Sequence, residues 1–267
     1  MDIFKKNINL IEQVIKVAKE AGESILEIYN SLDIEFELKD DFSPLTKADL
    51  TSHQIIVNKL KEITPAIPIL SEEESNIPFS IRSKWRIYWL IDPLDGTKEF
   101  LKRNGEFTVN ISLINNKRPI FGVIYIPIND HLFWGAKDLG SFEVQGDMEP
   151  KKINISEEIK RPIRIITSRS HPSKKLNLFL KRIGEHRLIQ KGSSLKFCLI
   201  ANREADLYPR LGPTSEWDIA AGDAILTFAG GKLITTDQKK IFYNSKESLL
   251  NPNFYAFSDQ KLIEEIF

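Results

Sequence analysis

Two aspartates, Asp92 and Asp95, stand three positions apart at the end of an apolar run, a spacing that could bind a cation. The run at 87–91 predicts a buried strand that ends in these acids and delivers both carboxylates into solvent. Gly96 then turns the chain, and Thr97 opens a helix with unpaired first amides. Carboxylates bind hard cations and helix-start amides bind phosphate oxygens, so the segment indicates metal-assisted chemistry on a phosphate ester. The same Asp-Pro-x-Asp-Gly pattern also forms ordinary turns that bind nothing.

The elements around this segment predict two mixed α and β parts. Helical spacing predicts a long first helix at 8–28 and a second helix at 50–63, and 67–70 is a short apolar strand. After residue 100, alternating apolar residues and turn signals predict a meander of antiparallel hairpins. Beyond the polar segment at 146–159, short strands alternate with helices, which is typical of an α/β unit. We therefore predict an N-terminal α+β domain, 1–155, with the metal-site strand and the meander, and a C-terminal α/β domain, 156–267.

Three further acids lie where predicted elements begin or end. Asp49 stands three residues after Thr46 before the second helix, which is the spacing of a capping box. Glu72 begins a run of three acids after the strand at 67–70, where like charges repel unless a cation relieves them. Asp218 begins a helix, where an acid offsets the macrodipole whether or not it binds a metal.

Charge and cysteine content narrow the classes of protein. The 267 residues carry no net charge, so an anionic ligand needs local cations and a nucleic acid duplex is not an expected partner. The single cysteine, Cys198, cannot form an internal disulfide, and its apolar neighbours indicate a buried thiol. Without a signal-peptide pattern or an apolar run long enough for a transmembrane segment, we expect a cytoplasmic protein.

The motifs, taken together, resemble the inositol monophosphatase superfamily. The resemblance rests on LSEE at 70–73, DPLDGT at 92–97 and WDIAAG at 217–222. Within the superfamily the chain is similar to the bacterial 3'(2'),5'-bisphosphate nucleotidases, through PLTKAD at 44–49, GTKEF at 96–100, RNGEFTVNI at 103–111, SRSH at 168–171 and GSSLKFC at 192–198. One departure is Ser71, where inositol phosphatases tend to have glycine.

This resemblance implies a fold and an activity. The fold would be α/β (α+β), a layered α-β-α-β-α sandwich of the sugar-phosphatase type, with nucleotide-binding segments in the C-terminal part. The activity would be a lithium-sensitive phosphomonoesterase linked to sulfur metabolism, which uses two or three Mg²⁺ ions. It would hydrolyse adenosine 3',5'-bisphosphate to AMP and phosphate by in-line attack of water.

The resemblance also implies a role for each site residue. The metal ligands would be Glu72, Asp92, the carbonyl of Leu94, Asp95 and Asp218, of which all but Asp92 would also contact substrate. Gly96 and Thr97 would bind the reacting phosphate, and Thr97, hydrogen-bonded to the catalytic Asp49, would orient the water. For Glu73 we predict either a contact with a metal ligand or a solvated side chain.

The nucleoside and its second phosphate would lie against His171, Ser193, Lys196 and Arg210. Each has a simpler interpretation: a helix cap for Ser193, a lysine extended along the surface for Lys196, and a surface turn for the other two.

Other functions stay open at this point. An inositol monophosphatase or a fructose-1,6-bisphosphatase shares the same scaffold. A haloacid-dehalogenase phosphatase needs two aspartates two positions apart, whereas Asp92 and Asp95 are three apart. An EF-hand calcium site needs acids at alternate positions, which this segment lacks. A non-catalytic nucleotide sensor would need no catalytic residues such as Asp49. The preference among bisphosphate isomers and the sulfated precursor, the oligomeric state, peripheral attachment to the inner face of the cell membrane, and the pathway are not determined.

Overall fold

The computed structural model describes residues 8–32, 34–39, 44–155, 159, 161–170 and 173–266, so the sequence prediction for His171 lies outside the described residues. The helices in these ranges are α1 (Ile8–Tyr29), α2 (Lys47–Ile63), α3 (Phe79–Arg82), α4 (Thr97–Leu101), α5 (Lys174–Ile183), α6 (Leu195–Ala201), α7 (Glu216–Ala229) and α8 (Gln260–Ile266), with a 3₁₀ turn at Pro127–Asn129.

A small antiparallel pair and a seven-stranded sheet come first in the chain. The pair is β1 (Phe36–Leu38) with β2 (Pro44–Thr46). The large sheet is formed, in order, by β3 (Ile69–Ser71), β4 (Ile87–Asp95), β5 (Thr108–Asn115), β6 (Arg118–Ile126), β7 (His131–Ala136), β8 (Gly140–Gln145) and β9 (Lys151–Ile153). Strand β3 is parallel to β4, and all the others are antiparallel, which confirms the predicted meander.

A five-stranded sheet follows, in the order β11-β10-β12-β14-β13. Strand β10 is parallel to β11 and β12, whereas β14 is antiparallel to β12 and β13. The strands are β10 (Ile163–Ser168), β11 (His186–Lys191), β12 (Leu207–Arg210), β13 (Lys232–Thr235) and β14 (Phe254–Phe257).

The hydrophobic clusters define five layers. Helices α1 and α2 pack on one face of the seven-stranded sheet, through buried residues such as Ala21 and Ile56 against Trp89. Helices α6 and α7 fill the space between the two sheets. Helices α5 and α8 cover the outer face of the five-stranded sheet, where Phe179 and Leu262 are buried. The predicted layered α-β-α-β-α sandwich is therefore confirmed.

Close approach of α7 to the large sheet depends on glycine. A Cβ on Gly122 would lie 2.5 Å from the carbonyl oxygen of Ala221, so the helix can rest directly on the β6 backbone. This contact carries the start of α7, and with it Asp218, to the large sheet that carries Asp92.

Three predictions about elements need comment. The strand of the two aspartates extends to Asp95, and Asp92 is only 1% exposed, so the prediction that it points into solvent was wrong. The segment at 146–159, predicted to be a polar junction, contributes the edge strand β9 to the large sheet. The domain boundary at 155 and 156 stays a prediction. Within the described ranges, every helix is too short or too polar to cross a lipid bilayer.

Candidate active site

Parallel pairing of β3 with β4 places two of the predicted metal ligands side by side. Ser71 is in register with Ile91, and the amide of Glu72 donates to the carbonyl oxygen of Ile91 at 3.1 Å. Glu72 therefore follows one strand at the level where Asp92 follows Ile91 in the next. The carboxyl ends of parallel strands meet at the same edge of a sheet, so this edge concentrates acids.

An irregularity in β4 positions the second aspartate. Asp92 pairs with Asn110 and Asp95 with Thr108, so three steps on β4 oppose two on β5, as in a β-bulge. Bulges re-aim side chains next to functional sites. Asn110 Nδ2 lies 3.5 Å from Asp95 Oδ2, and the amide of Leu94 donates to Asp92 Oδ1 at 3.2 Å.

Asp218 reaches the same region from the second half of the chain. Ser215 and Asp218 form a capping box at the start of α7, where the amide of Ser215 donates to Asp218 Oδ2 at 2.8 Å. Burial raises the pKa of Asp218 well above its usual range, and repulsion from Asp95 and Glu72 adds to the increase. Asp218 therefore both caps α7 and lies close to the other acids.

Negative charge is concentrated at this edge. Burial, followed by repulsion from Glu72, Asp95 and Asp218, raises the pKa of Asp92 well above its usual range. Asp92 Oδ2 is buried and has no hydrogen-bond partner among the described residues, and burial also raises the pKa of Glu72. A buried carboxylate oxygen without a donor is costly unless a cation meets it. The candidate ligand atoms are carboxylate oxygens, which suit a hard cation such as Mg²⁺.

Lys39 supplies a cation to these acids. Its Nζ lies 2.8 Å from Oε1 of Glu72 and also 2.8 Å from the carboxylate of Glu73. Although burial opposes the charge on Lys39, the Glu72 carboxylate raises its pKa. Burial, followed by repulsion from Glu72, raises the pKa of Glu73 to about 7. Because its carboxylate contacts Lys39, Glu73 is a paired residue and not a solvated one. Among the residues that the structure describes, no three His, Cys, Asp or Glu side chains already form a metal cage.

Asp49 and Thr97 are in direct contact. Asp49 Oδ2 accepts from the amide and the hydroxyl of Thr46 at 2.7 and 2.6 Å, which confirms the capping box of α2. Its Oδ1 accepts from the Thr97 hydroxyl at 3.1 Å, the contact that the resemblance implied. Burial raises the pKa of Asp49. One carboxylate therefore caps a helix and holds Thr97 beside the acids.

The turn between β4 and α4 requires glycine. Gly96 has a φ of +95°, and a Cβ there would lie 2.8 Å from the carbonyl oxygen of Glu106. Only glycine adopts this conformation in this space without strain.

A cavity of about 430 Å³ joins the acids to a cationic wall. Its lining contains both groups of residues: we call Glu72, Asp95, Gly96, Thr97 and Asp218 the acidic wall, and Ser193, Lys196 and Arg210 the cationic wall. The structure thus brings the described candidate residues together at a single opening, with Asp49 and Asp92 directly behind them. A larger cavity of about 760 Å³ lies beneath Cys198 and contains none of the four predicted carboxylate ligands.

The cationic wall is built on β12 and α6. Lys196 is buried, donates to the carbonyl oxygen of Ser193, and has its Nζ 5.3 Å from the centre of the Tyr208 ring. Burial lowers the pKa of Lys196 to about 8, partly opposed by Asp95. Arg210 donates through Nη2 to the carbonyl oxygen of Pro213 at 2.5 Å, and its buried Nε has no hydrogen-bond partner in the part of the chain that the structure describes. A buried, unpartnered donor beside a cavity fits an anionic ligand.

Ser193 connects the two walls. It lies in the left-handed region with a φ of +54°, and its hydroxyl donates to Asp95 Oδ2 at 3.0 Å. The N-cap position of α6 belongs to Ser194, so capping does not account for Ser193.

The sequence analysis predicted neither Tyr208, which lines the cavity, nor Lys39, which pairs with Glu72. Tyr208 had a signal, because strand alternation places it on the same face of β12 as Arg210. Lys39 had none, because its contact with Glu72 depends on where the β1–β2 pair lies against the large sheet.

A layered α/β fold with its carboxylates at the junction of two sheets and a cationic wall opposite them is the architecture of the sugar-phosphatase class. The model of the inositol monophosphatase family matches residues 7–266, and the chain belongs to this family.

Individual members of this family are similar to the chain over most of its length. The chain is 44% identical over 246 residues to the 3'(2'),5'-bisphosphate nucleotidase CysQ of Salmonella typhimurium, covering 92% of this chain and 98% of that protein. It is 45% identical over 250 residues to the CysQ nucleotidase of Buchnera aphidicola, covering 92% and 93%. The crystal structure of CysQ from Bacteroides thetaiotaomicron, a bacterial member of the inositol monophosphatase family, superimposes with a TM-score of 0.83 at 39% identity, covering 95% of this chain and 98% of that one.

Proposed function

We propose that this protein is a Mg²⁺-dependent 3'(2'),5'-bisphosphate nucleotidase that removes the 3'-phosphate of adenosine 3',5'-bisphosphate, giving AMP and phosphate. The observation that carries the proposal is the two-sided cavity, with carboxylates on one wall and the buried cations Lys196 and Arg210 on the other. A substrate with two phosphates of different roles fits such a cavity. The 3'(2'),5'-bisphosphate nucleotidase name of its CysQ relatives supports the same assignment.

The acidic wall would hold the cofactor. Glu72, Asp92, Asp95, Asp218 and the carbonyl of Leu94 would bind two or three Mg²⁺ ions. Bound there, Mg²⁺ supplies charge neutralisation at the reacting phosphate and lowers the pKa of water.

Thr97 and Asp49 would activate and orient the nucleophile. Because the Thr97 hydroxyl donates its proton to Asp49, its lone pairs are available to accept a hydrogen bond from the attacking water. Asp49, whose pKa burial raises, is suited to accept the proton that this water loses. A new bond forms between the water oxygen and phosphorus while the bond from phosphorus to the ribose 3'-oxygen breaks. The departing oxygen takes a proton from solvent, and no covalent enzyme intermediate forms.

Gly96 and the cationic wall would hold the substrate in place. The amides at Gly96 and Thr97 would bind oxygens of the reacting phosphate at the start of α4. Lys196 and Arg210 would bind the 5'-phosphate, with the free Nε of Arg210 as one donor. Ser193 and His171 would contact the nucleoside. Binding energy from the remote phosphate orients the 3'-oxygen for departure.

Phosphate release from a panel of esters at fixed Mg²⁺ tests the proposal. The panel is adenosine 3',5'-bisphosphate, its 2',5' isomer, the sulfated precursor, inositol 1-phosphate and fructose 1,6-bisphosphate. We expect the highest kcat/KM on the adenosine bisphosphates and no release in excess EDTA. Faster turnover of inositol 1-phosphate would replace the nucleotide assignment with an inositol phosphatase, and release in EDTA would remove the metal requirement.

A further inference from the structure

Glu106 borders the larger cavity and contacts the ends of β10 and β11, and the function proposed above gives it no role. It stands just before β5, is 8% exposed, and belongs to the RNGEFTVNI motif. Its Oε2 accepts from the amide of Gly192 at 2.8 Å and from Arg169 Nε at 2.9 Å, and its Oε1 accepts from Arg169 Nη2 at 2.8 Å. Lys191 Nζ is 3.3 Å from the same oxygen. One carboxylate therefore joins the large sheet to the ends of β10 and β11.

The backbone of Glu106 touches both walls as well. A Cβ on Gly96 would lie 2.8 Å from its carbonyl oxygen, and a Cβ on Gly192 would lie 3.0 Å from the same atom. The turn proposed to bind the reacting phosphate and the loop at 192–194 therefore both pack against Glu106. A Cβ on Gly192 would also lie 2.7 Å from Cγ of Glu99, so neither glycine has room for a side chain.

The loop at 192–194 needs such an anchor. Ser193 holds a left-handed conformation, which a non-glycine residue keeps only when its surroundings impose it. Its hydroxyl contacts Asp95 and, at 2.6 Å, Thr108 Oγ1, and its carbonyl accepts from Lys196. A shift of this loop would move Ser193 and Lys196 away from the acids together.

A second glutamate reinforces the same junction. Glu99, 2% exposed, accepts from Ser170 and from Asn104 Nδ2, and Asn104 Oδ1 accepts from the amide of Glu106 at 3.0 Å. The segment after β10 is thus attached to the α4 region by two neighbouring carboxylates.

We propose that Glu106 is a positioning residue that fixes the loop at 192–194 against the Gly96 turn and so sets the distance between the cationic wall and the carboxylates. Within the described part of the chain, Glu106 is not in the lining of the 430 Å³ cavity and instead lines the larger one. The Arg169 side chain is 44% exposed, so its ion pair adds little to stability, whereas the bond to Gly192 is buried. Loss of Glu106 should accordingly disturb substrates that span both walls and spare those that use only the acidic wall. This inference rests on the proposed function only for the identity of the spanning substrate.

The test compares Glu106→Ala and Glu106→Gln on adenosine 3',5'-bisphosphate and on glycerol 2-phosphate, which is too small to reach the cationic wall. In the alanine variant we expect KM for the bisphosphate to rise about tenfold, because one charge-assisted hydrogen bond is lost. The kcat/KM for the small ester should stay within about twofold of the wild-type value. Glutamine keeps an acceptor for Gly192 and should restore most of the difference. Glu143→Gln, at a glutamate that pairs with His131 on the meander, is the control and should change neither substrate.

Hydrogen exchange of the Gly192 amide in the EDTA-treated protein gives a readout independent of activity. Exchange should accelerate at least tenfold in Glu106→Ala and stay unchanged at the amides of β6, since a lost buried hydrogen bond opens the loop locally. Equal kinetic losses on both substrates, or unchanged exchange at Gly192, would overturn the proposal. If Glu106→Ala does not fold, Arg169→Met removes the cation that orients the carboxylate and should give the same split at about threefold. If the Gly192 amide exchanges faster in Glu106→Ala but the wild type does not hydrolyse the bisphosphate, Glu106 is a positioning residue and the nucleotide assignment is wrong.

Discussion

The ammonium nitrogen of Lys39 lies 2.8 Å from Oε1 of Glu72 and 2.8 Å from the Glu73 carboxylate. The lysine thus neutralises the same carboxylate that we propose as a Mg²⁺ ligand. Both side chains are about a quarter exposed, at 22% and 25%, so the pair is only partly screened by solvent. A metal ion at Glu72 must displace this ammonium or share its carboxylate.

Replacing Lys39 with methionine should therefore tighten Mg²⁺ binding. Removing one competing charge-assisted contact should lower the Kd by roughly tenfold, measured by isothermal titration of the EDTA-treated protein. Lys59→Met is a matched control, because Lys59 pairs with Glu62 on the same helix, α2. Weaker Mg²⁺ binding by Lys39→Met would show that the lysine supports the site by screening Glu73.

Asp92→Asn should separate activity from stability. Loss of the ligand shared by the proposed ions should lower phosphate release by roughly a thousandfold. Because burial and neighbouring acids raise the folded-state pKa of Asp92, the folded protein binds this proton more tightly than the unfolded chain does. Ionising Asp92 therefore costs stability, fully so above its raised pKa, and the cost shrinks as pH falls from the raised pKa toward the ordinary pKa of the unfolded chain.

Thermal unfolding in EDTA measures this cost. The Asp92→Asn protein should have a higher Tm than the wild type at pH 8, and the difference should narrow at pH 5. Asp223→Asn is the contrasting variant, because Asp223 is buried on α7 but accepts from Thr227 and Tyr243 at 3.0 Å each, and its loss should lower Tm. A lower Tm for Asp92→Asn would mean that Asp92 stabilises the metal-free fold.

Local patterns predicted the acids, and long-range pairing determined their environment. The capping box at Asp49 follows from a spacing of three residues and was predicted from sequence, whereas at Asp218 the sequence predicted an acid at a helix start and the structure adds the capping box with Ser215. The burial of Asp92 depends on its pairing with Asn110 across seventeen intervening residues, which no local pattern records. The same is true of Lys39 against Glu72 and of Arg169 against Glu106, since each contact joins segments that are remote in sequence.

Thr97→Val and Asp49→Ala should divide the two roles of Asp49. Valine removes the hydroxyl that contacts Asp49 and leaves the capping box of α2 intact, so kcat should fall by roughly a hundredfold with little change in stability. Alanine at 49 removes the cap too and should also cost about 0.5–2 kcal/mol of unfolding free energy. Steady-state kinetics and urea unfolding measure both effects. Wild-type kcat in Thr97→Val would exclude the hydroxyl from orienting the water.

The alkaline limb of the activity profile should report Lys196. Burial lowers the pKa of Lys196 to about 8, so the free enzyme loses this positive charge as pH rises through about 8. Affinity for the 5'-phosphate should fall over that range, and kcat/KM for the bisphosphate should decline more steeply than for adenosine 3'-monophosphate. Lys196→Met should remove the difference between the two profiles. Parallel profiles in the wild type would assign the second phosphate to other groups.

Arg210→Ala tests which side chain recognises the second phosphate. Arg210 is 9% exposed, and its buried Nε lacks a partner among the residues described by the structure, so an anion in the cavity would complete its hydrogen bonding. Loss of a charge-assisted hydrogen bond costs about 1.5–3 kcal/mol, so kcat/KM for adenosine 3',5'-bisphosphate should fall roughly tenfold to a hundredfold.

The matched substrate makes this prediction specific. Adenosine 3'-monophosphate lacks the remote charge, and its kcat/KM should change by less than about threefold, because the acidic wall and Gly96 are untouched. The variant also loses the bond from Arg210 to the carbonyl oxygen of Pro213, so its Tm should be recorded beside the kinetics. A selective loss on the bisphosphate places the 5'-phosphate at Arg210. Equal losses on both substrates would mean that Arg210 only holds the loop containing Pro213 and does not contact the second phosphate.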